Sequence, residues 1–385
     1  MSHEEDAADC VRVDAFSLVR SALCPRSRPM AEEEVCPLLD DLPSSRHISS
    51  PIISSVNPVW TKHATRSARD HCTLMSTAIG FEYPTLVGLP TGTLAELTPG
   101  QVAVFGASEA TPYDPAVASH SAQAPGAIRA ASSALAGQLK QHDFDIGRTL
   151  VTEERPIDWL GRDLGDVKTR VRDAADNRSR IAAATAGILN AGAVPLVLGG
   201  DDSVPIPVLA GFEGHGPVTI VQVDAHVDWA DEIRGQDKGY GSPMRRVAEM
   251  PWVKDMLQIG IRGLGSGEAW QHDDARAWGS RLVTSREWHR DGADATLDGL
   301  VKGSRFVLSI DCDGLDPSVF PAVAMPTPGG LDYEDMLALI DGLTARGTIV
   351  GVIIAEYVPN RDDAARSSAL LAARLALTLM AAMRR

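Results

Sequence analysis

The chain is organised around an apolar run that ends in three polar side chains. The run reads Val218-Thr219-Ile220-Val221-Gln222-Val223-Asp224-Ala225-His226-Val227-Asp228. Its apolar part predicts a buried strand, because strands of parallel sheets are almost continuously hydrophobic. Asp224, His226 and Asp228 alternate with apolar residues, so an extended backbone would turn all three side chains to one face. The segment therefore predicts a strand end that presents a cluster of ligands.

Similar apolar runs recur on both sides of this segment, with helical patterns between them. Predicted strands cover residues 102–106, 194–198, 256–261, 306–310 and 349–355, and predicted helices cover residues 127–139, 177–190, 333–343 and 370–383. Strands without polar alternation, separated by helices, favour a parallel sheet covered on both faces. The sequence thus predicts an α/β fold with a mainly parallel central sheet.

Composition limits the possible partners and compartments. The 385 residues are 44% apolar and 23% charged, which is ordinary for a globular protein. A net charge of -15 argues against nucleic acid, since so acidic a chain has no broad basic face. No apolar run approaches the roughly 20 residues that cross a bilayer, so no membrane partner is expected. Five cysteines without a C-x-x-C pair favour reduced thiols and a cytoplasmic location.

The chain is predicted to divide into an extension and one domain. Residues 1–94 lack sustained periodicity in their first half and contain scattered Pro, Ser and acidic residues, which predicts a partly disordered tail and arm. Residues 95–385 show no internal repeat and no linker, and are predicted to form a single α/β catalytic domain.

Acidic residues follow four of the apolar runs. They are Asp201 and Asp202, then Asp224 and Asp228, then Asp311 and Asp313, and finally Glu356. Ligands of parallel sheets bind at the carboxyl ends of the strands, where these acids would meet. Converging carboxylates repel one another unless cations lie between them, so the pattern predicts a metal site. Oxygen ligands with one imidazole suit Mn²⁺ or a similar ion, and two such ions would lower the pKa of a shared water.

Three of these motifs together resemble the ureohydrolase family, which comprises arginases, agmatinases and related guanidino-compound hydrolases. The resemblance rests on residues 199–203, 224–228 and 309–317, with a weaker similarity from residue 102 onward. It implies the three-layer α/β/α arginase-deacetylase fold. It also implies hydrolysis of a guanidinium group to urea and an amine by a hydroxide that bridges two metal ions, usually Mn²⁺ and in some guanidine hydrolases Ni²⁺.

The resemblance assigns roles to particular residues. Five positions match the metal ligands of the family directly: Asp224, His226, Asp228, Asp311 and Asp313. Glu356 matches the carboxylate that pairs with the substrate guanidinium, and its two oxygens can accept paired hydrogen bonds from a planar cation. Glu356 and Tyr240 are the candidate catalytic and substrate-binding residues.

Several positions depart from the family pattern. Asp202 stands where the family usually has a histidine ligand, so the six presumed ligands become five carboxylates and one imidazole. Tyr240 stands where the family has a proton-shuttle histidine, and a phenol with a pKa of about 10 suits hydrogen bonding better than proton transfer near neutral pH. His120 is a candidate replacement for that shuttle. Residues 320–330 are bulkier and more apolar than in many relatives, which predicts a different substrate shape.

These departures leave alternative functions open. The first hypothesis is an active metal-dependent amidinohydrolase with a small guanidino substrate, which assembles as a homo-oligomer, trimer or hexamer. The alternative is a catalytically weakened paralogue that assembles with an active ureohydrolase, for example in a hetero-oligomer similar to metformin hydrolases or other substituted-guanidine hydrolases. A deacetylase-like enzyme with a single metal is a third hypothesis, which Asp311 and Asp313 disfavour because they suit a second ion.

Overall fold

The computed structural model describes residues 84–384. The strands are β1 Val102–Ala107, β2 His142–Asp143, β3 Arg148–Thr149, β4 Gly161–Asp166, β5 Val194–Gly199, β6 Val218–Val223, β7 Val253–Ile261, β8 Arg281–Thr284, β9 Ser304–Asp311 and β10 Gly347–Ala355. The α-helices are α1 Ala124–Ala136, α2 Ile157–Leu160, α3 Ala174–Asn190, α4 Pro205–Ala210, α5 Pro243–Ala248, α6 Ala269–Trp278, α7 Ser285–Leu297, α8 Tyr333–Arg346 and α9 Ser367–Met383.

Eight strands form one central sheet in the order β4-β1-β5-β10-β9-β6-β7-β8. All neighbouring pairs in this sheet are parallel. The short strands β2 and β3 form a separate antiparallel pair. The prediction of a parallel α/β sheet is confirmed.

Helices cover both faces of the sheet and create two hydrophobic cores. Along β1, Val102 and Val104 belong to one core while Ala103 and Phe105 belong to the other, as the two-residue period of a strand requires. Helices α1, α7, α8 and α9 contribute to the first core, and α3, α4, α5 and α6 contribute to the second. This is the predicted three-layer α/β/α arrangement, and it explains why the strands are apolar on both faces.

The segment before β1 packs on this framework. Leu86, Val87 and Leu89 are buried in the first core, and the backbone of Leu86 donates to the Asp163 carboxylate over 2.9 Å. Residues 1–83 of the predicted extension lie outside the described residues, and the boundary at residue 94 stays a prediction. Within residues 84–384, no helix has the length and apolar character needed to cross a membrane.

The topology decides which strand ends meet. Strands β5, β10, β9 and β6 are consecutive in the sheet. Because they are parallel, their carboxyl ends lie along the same edge. These are the four strands that the acidic motifs follow, so the fold brings the predicted site residues to adjacent positions.

Candidate metal centre and active-site cavity

The turn after β5 places Asp202 beneath the edge of the sheet. This turn passes very close to the loop after β1. A Cβ on Gly200 would lie 1.9 Å from the carbonyl oxygen of Ser108. Only glycine allows this approach. The chain then turns Asp202 inward, where the residue is 1% exposed.

The candidate ligands form two groups that share one residue. The first group is Asp224, His226 and Asp313, and the second is Asp202, Asp224, Asp228 and Asp311; in each, one ligand atom per residue lies within 4.8 Å of all the others. All six residues predicted to bind metal are therefore brought together. Because Asp224 belongs to both groups, it is positioned to bridge two neighbouring ions.

The backbone that creates these groups differs from the extended geometry expected from the sequence. Strand β6 ends at Val223, before the first ligand. Asp228 adopts a left-handed conformation with φ 51°, and Asp313 lies in a 3-10 turn, Cys312–Gly314. The three ligands of segment 224–228 therefore follow the end of β6 and are brought together by a turn instead of by an extended strand. His226 and Asp313 belong to one group, and Asp228 and Asp311 to the other.

Burial and crowding make the second group electrostatically costly. Burial raises the pKa of Asp202 well above its ordinary value, and the charges of Asp228 and Asp224 raise it further. Burial also raises the pKa values of Asp224 and Asp311, with their neighbouring carboxylates adding to the effect. A cation bound between these groups would remove the repulsion.

The buried Asp202 carboxylate shows that the residues fit a metal ion. Among the described residues its oxygens have no hydrogen-bond partner other than the Asp228 carboxyl, which can pair with it only when one of the two carries a proton, although buried polar atoms are normally paired. At His226, burial lowers the pKa, but hydrogen bonds to Asp224 and Asp313 outweigh it and raise the pKa to about 11. A proton and a metal ion would compete for this imidazole.

A buried hydrogen-bond chain supports the ligands from behind. Gln222 donates to Asp224 over 2.6 Å, Gln258 donates to Gln222 over 2.6 Å, and Ser280 donates to Gln258 over 2.8 Å. Outer partners of this kind fix the orientation of metal ligands. Sequence reasoning missed these residues, although each glutamine interrupts an otherwise apolar strand, and that interruption was an available signal.

A cavity of about 470 Å³ opens above the ligands. Four of the candidate ligands, His226, Asp228, Asp311 and Asp313, face it, while Asp202 and Asp224 lie beneath its floor. Glu356 lines the cavity beside them and also has a left-handed backbone, with φ 63°. Such conformations cost about 1–3 kcal/mol and tend to occur at functional sites.

Both oxygens of Glu356 are engaged. Oε1 accepts a hydrogen bond from the backbone of Asp202 over 2.9 Å, and Oε2 lies 2.5 Å from Nε2 of His120. Burial lowers the pKa of His120, but its hydrogen bond to Glu356 and the Glu356 charge outweigh burial and raise it. The structure thus places His120, a candidate shuttle, directly on the predicted guanidinium acceptor.

Tyr240 lies in the cavity wall next to this pair. Its ring is edge-on to His120 with centroids 5.5 Å apart, and it packs on Tyr113 at 4.1 Å. Burial raises the pKa of Tyr240, and the charges of Glu356 and Asp201 raise it further. The phenol therefore keeps its proton near neutral pH, which leaves its O–H able to donate a hydrogen bond.

Comparison with known proteins identifies the family. The sequence profile of the Arginase family matches residues 101–382. The chain belongs to the arginase family. Metal dependence is general in the arginase family, and the two ligand groups described above agree with it.

Individual relatives of this arginase-family chain have different substrates in their names. The chain is 33% identical to the mitochondrial guanidino acid hydrolase of Homo sapiens, over 57% of this chain and 64% of that protein. It is 34% identical to the mitochondrial agmatinase of Gallus gallus, over 60% of this chain and 68% of that protein. The solved structure of proclavaminate amidino hydrolase from Streptomyces clavuligerus superposes with a TM-score of 0.65 at 27% identity, covering 79% of this chain and 98% of that one.

Proposed function

We propose that this chain is a metal-dependent amidinohydrolase that converts a small guanidino compound into urea and an amine. The observation that carries the proposal is the convergence of two acidic ligand groups and Glu356 at the carboxyl ends of four consecutive strands, beside one cavity. Membership of the arginase family supports the same reaction class.

The proposed metal ligands are the six residues of the two groups. Asp224, His226 and Asp313 would hold one divalent ion, and Asp202, Asp224, Asp228 and Asp311 would hold the other. Mn²⁺ is the first candidate because most ligand atoms are oxygens, and Ni²⁺ is the second. Two bound ions would supply a hydroxide nucleophile at neutral pH.

Glu356 is proposed to orient the substrate. A carboxylate can accept two parallel hydrogen bonds from a guanidinium, which fixes the plane of the cation and the position of its central carbon. In the structure Oε2 of Glu356 is taken by His120, so a substrate must displace the imidazole. We place the displaced imidazole of His120 near the bound guanidinium, because both contact Glu356.

Proton transfer is proposed to involve His120 rather than Tyr240. Attack of water on the guanidinium carbon releases a proton, and breakage of the C–N bond leaves an amine that needs one. A neutral imidazole can take up the first proton and return it to the departing nitrogen. Tyr240, whose pKa is raised, is proposed to bind substrate as a hydrogen-bond donor.

Metal content and urea release test the proposal together. Protein loaded with Mn²⁺ or Ni²⁺ is expected to bind two ions per chain and to release urea from at least one member of a guanidine panel. Asp224→Asn should lose both ions because Asp224 belongs to both groups, whereas Asp298→Asn, at an exposed position, should retain them. Absence of bound metal together with absence of urea would refute the proposal.

A weakened subunit is the second candidate function, and two observations favour it. Asp202 adds a buried carboxylate to a group that already has three, and Tyr240 has a raised pKa at the position of the family's shuttle. If this candidate is right, the isolated chain is inactive, the double variant Asp202→His/Tyr240→His gains urea release, and the chain co-purifies with a second arginase-family protein. A pure, active homo-oligomer would exclude it. A cytoplasmic location and a trimeric or hexameric homo-oligomer stay predictions.

A further inference from the structure

The charges around the cavity are all of one sign apart from its two imidazoles. Five carboxylates line it, from Asp228, Glu268, Asp311, Asp313 and Glu356. Among the described residues that line the cavity there is no lysine and no arginine. Bound metal ions would neutralise the three aspartates, and a guanidinium would neutralise Glu356. Glu268 belongs to neither ligand group, and its carboxylate accepts a hydrogen bond from the indole N–H of Trp270 over 2.9 Å.

The basic residues near the cavity wall either donate hydrogen bonds to other groups or are exposed to solvent. Arg361 donates to the carbonyl oxygens of Val323 and Ala324, at 2.8 Å each. Arg234 is close enough to influence the pKa of Tyr240, but it is exposed and does not line the cavity. Among the described residues that line the cavity, none therefore offers a lysine or arginine side chain to the tail of a guanidino substrate.

Five apolar side chains line the cavity, together with the polar side chains of Tyr240, Ser266 and Gln271. Trp229, Ala230 and Ile233 form one side, and Ala324 and Met325 belong to the loop that is bulkier than in many relatives. Trp229 is only 2% exposed and its indole N–H donates to Asp274 over 2.7 Å, so that N–H is not available to a ligand. A carboxylate on the substrate tail would meet these apolar groups and the Glu268 charge, and it would lose hydration without gaining a cation.

We propose that the cavity selects guanidines whose tail is uncharged or carries an amine, and that it excludes guanidino acids. This inference rests on the proposed function, because it takes Glu356 as the guanidinium partner. An alkyl tail would bury its methylene groups against the apolar wall. An amine at its end would lie near Glu268. A human relative is named as a guanidino acid hydrolase, so the inference separates this chain from that relative.

Three substrates of similar length test this selectivity. They are n-butylguanidine, 4-aminobutylguanidine and 4-guanidinobutanoate, which differ in the end group of the tail. With the metal-loaded full-length protein, kcat/KM from urea release is expected to be about 100-fold lower for 4-guanidinobutanoate than for the better of the other two, a factor typical of an unpaired charge in a binding site. An equal or higher kcat/KM for the acid would overturn the inference and leave the proposed function intact.

Variants at Met325 provide a matched control. Met325 lines the cavity and is 50% exposed, so a longer side chain can be accommodated. Met325→Arg is expected to raise the ratio of kcat/KM for 4-guanidinobutanoate to that for n-butylguanidine by about tenfold, because it supplies the missing cation. Met325→Gln, similar in length but neutral, should leave that ratio as it is. An equal response of the ratio to both variants would contradict the electrostatic explanation.

Calorimetric binding separates failure of the inference from failure of the proposed function. If none of the three compounds releases urea, binding of the same compounds is measured instead, and the hydrolase proposal is judged by metal content and the wider guanidine panel. Binding of n-butylguanidine or 4-aminobutylguanidine at least tenfold tighter than 4-guanidinobutanoate would still support the inferred selectivity. Equal affinities, or no binding at all, would overturn it.

Discussion

Two regions of this molecule bury carboxylates, and they do so in opposite ways. Near one edge of the sheet, Asp163 of β4 is fully buried against Arg129 of α1. Arg129 donates to both oxygens of Asp163, at 2.8 and 3.0 Å, and also to Asp166. The backbones of Leu86 and Gly165 donate to Asp163 as well. This region supplies its own counter-ion and pairs its polar atoms.

The metal centre lacks such a counter-ion. Its five aspartates form no salt bridge with lysine or arginine in the described part of the chain, and their one ionic partner is His226. Arg262 lies nearby, but its guanidinium donates to backbone carbonyl oxygens, including those of Asp313 and Thr327. Buried acids that the fold has not neutralised indicate a place for an external cation, whereas a buried ion pair with full hydrogen bonding indicates a structural role.

Replacement of Arg129, the internal counter-ion of Asp163, should have the largest effect on the free energy of unfolding. Arg129→Met leaves Asp163 buried and unpaired, so we expect the free energy of unfolding to fall by about 3–5 kcal/mol. Denaturant titration measures it. Arg180→Met is the matched control, because it breaks a largely exposed pair with Asp176 and should cost less than about 1 kcal/mol. Equal losses in the two variants would remove the contrast between buried and exposed pairs.

Addition of Mn²⁺, an external counter-ion for the buried aspartates, should have the next largest effect on the free energy of unfolding. Mn²⁺ at a hundred times its dissociation constant should stabilise the protein by about 2.7 kcal/mol, provided that it binds only the folded state. The midpoint of thermal unfolding should rise accordingly. Asp224→Asn should abolish most of the rise, because Asp224 belongs to both ligand groups. An undiminished rise in that variant would place the ion elsewhere.

In the metal-free protein, replacement of an aspartate by asparagine should change the free energy of unfolding in opposite directions in the two regions. Burial and neighbouring carboxylates raise the pKa of Asp202, so folding must either protonate this carboxyl or bury its charge. Asp202→Asn avoids that cost and should raise the free energy of unfolding by about 1 kcal/mol. Asp163→Asn removes half of a satisfied pair and should lower it. Chelator-treated samples compared by denaturant titration test both. A loss of stability in both variants would mean that the two clusters are equally satisfied.

The sequence was most informative where a strand is buried on both faces. Strands β5, β6, β9 and β10 are central, nearly all apolar, and followed by acids, so both the strands and the site at their ends could be predicted. The two strands of the central sheet that were not predicted, β4 and β8, are its edges; the short separate pair β2 and β3 was not predicted either. An edge strand needs fewer apolar residues, and β4 contains Asp163, which is buried only because Arg129 from another element pairs with it.

The detailed arrangement of the site could not be predicted for a related reason. The six ligands could be predicted as a set, but their division into two groups depends on the left-handed backbone of Asp228. Periodicity describes regular backbone and says nothing about such a turn. The contact between His120 and Glu356 joins residues 236 positions apart, and residue patterns contain no information on that distance.

The smallest expected effect concerns this contact, in which the imidazole of His120 partly neutralises Glu356 from the cavity side. The groups near His120 are Glu356, Asp201, Arg361 and the ring of Tyr240. Because the folded pKa of His120 is raised, the stability that its charge contributes is complete below about pH 6.5 and is lost as pH rises through the folded pKa. Loss of that proton weakens the electrostatic attraction between His120 and Glu356.

A guanidinium should therefore bind better as pH rises. The side chain of His120 is 30% exposed, so its interaction is screened and KM should fall by no more than about fivefold above pH 6.5. His120→Gln removes the titrating group while retaining a hydrogen-bond donor, and its KM should not show this fall. Initial rates of urea release between pH 6 and 9, at matched metal loading, make the comparison. A KM that falls equally in both proteins would assign the titration to another group and remove His120 as the competitor for Glu356.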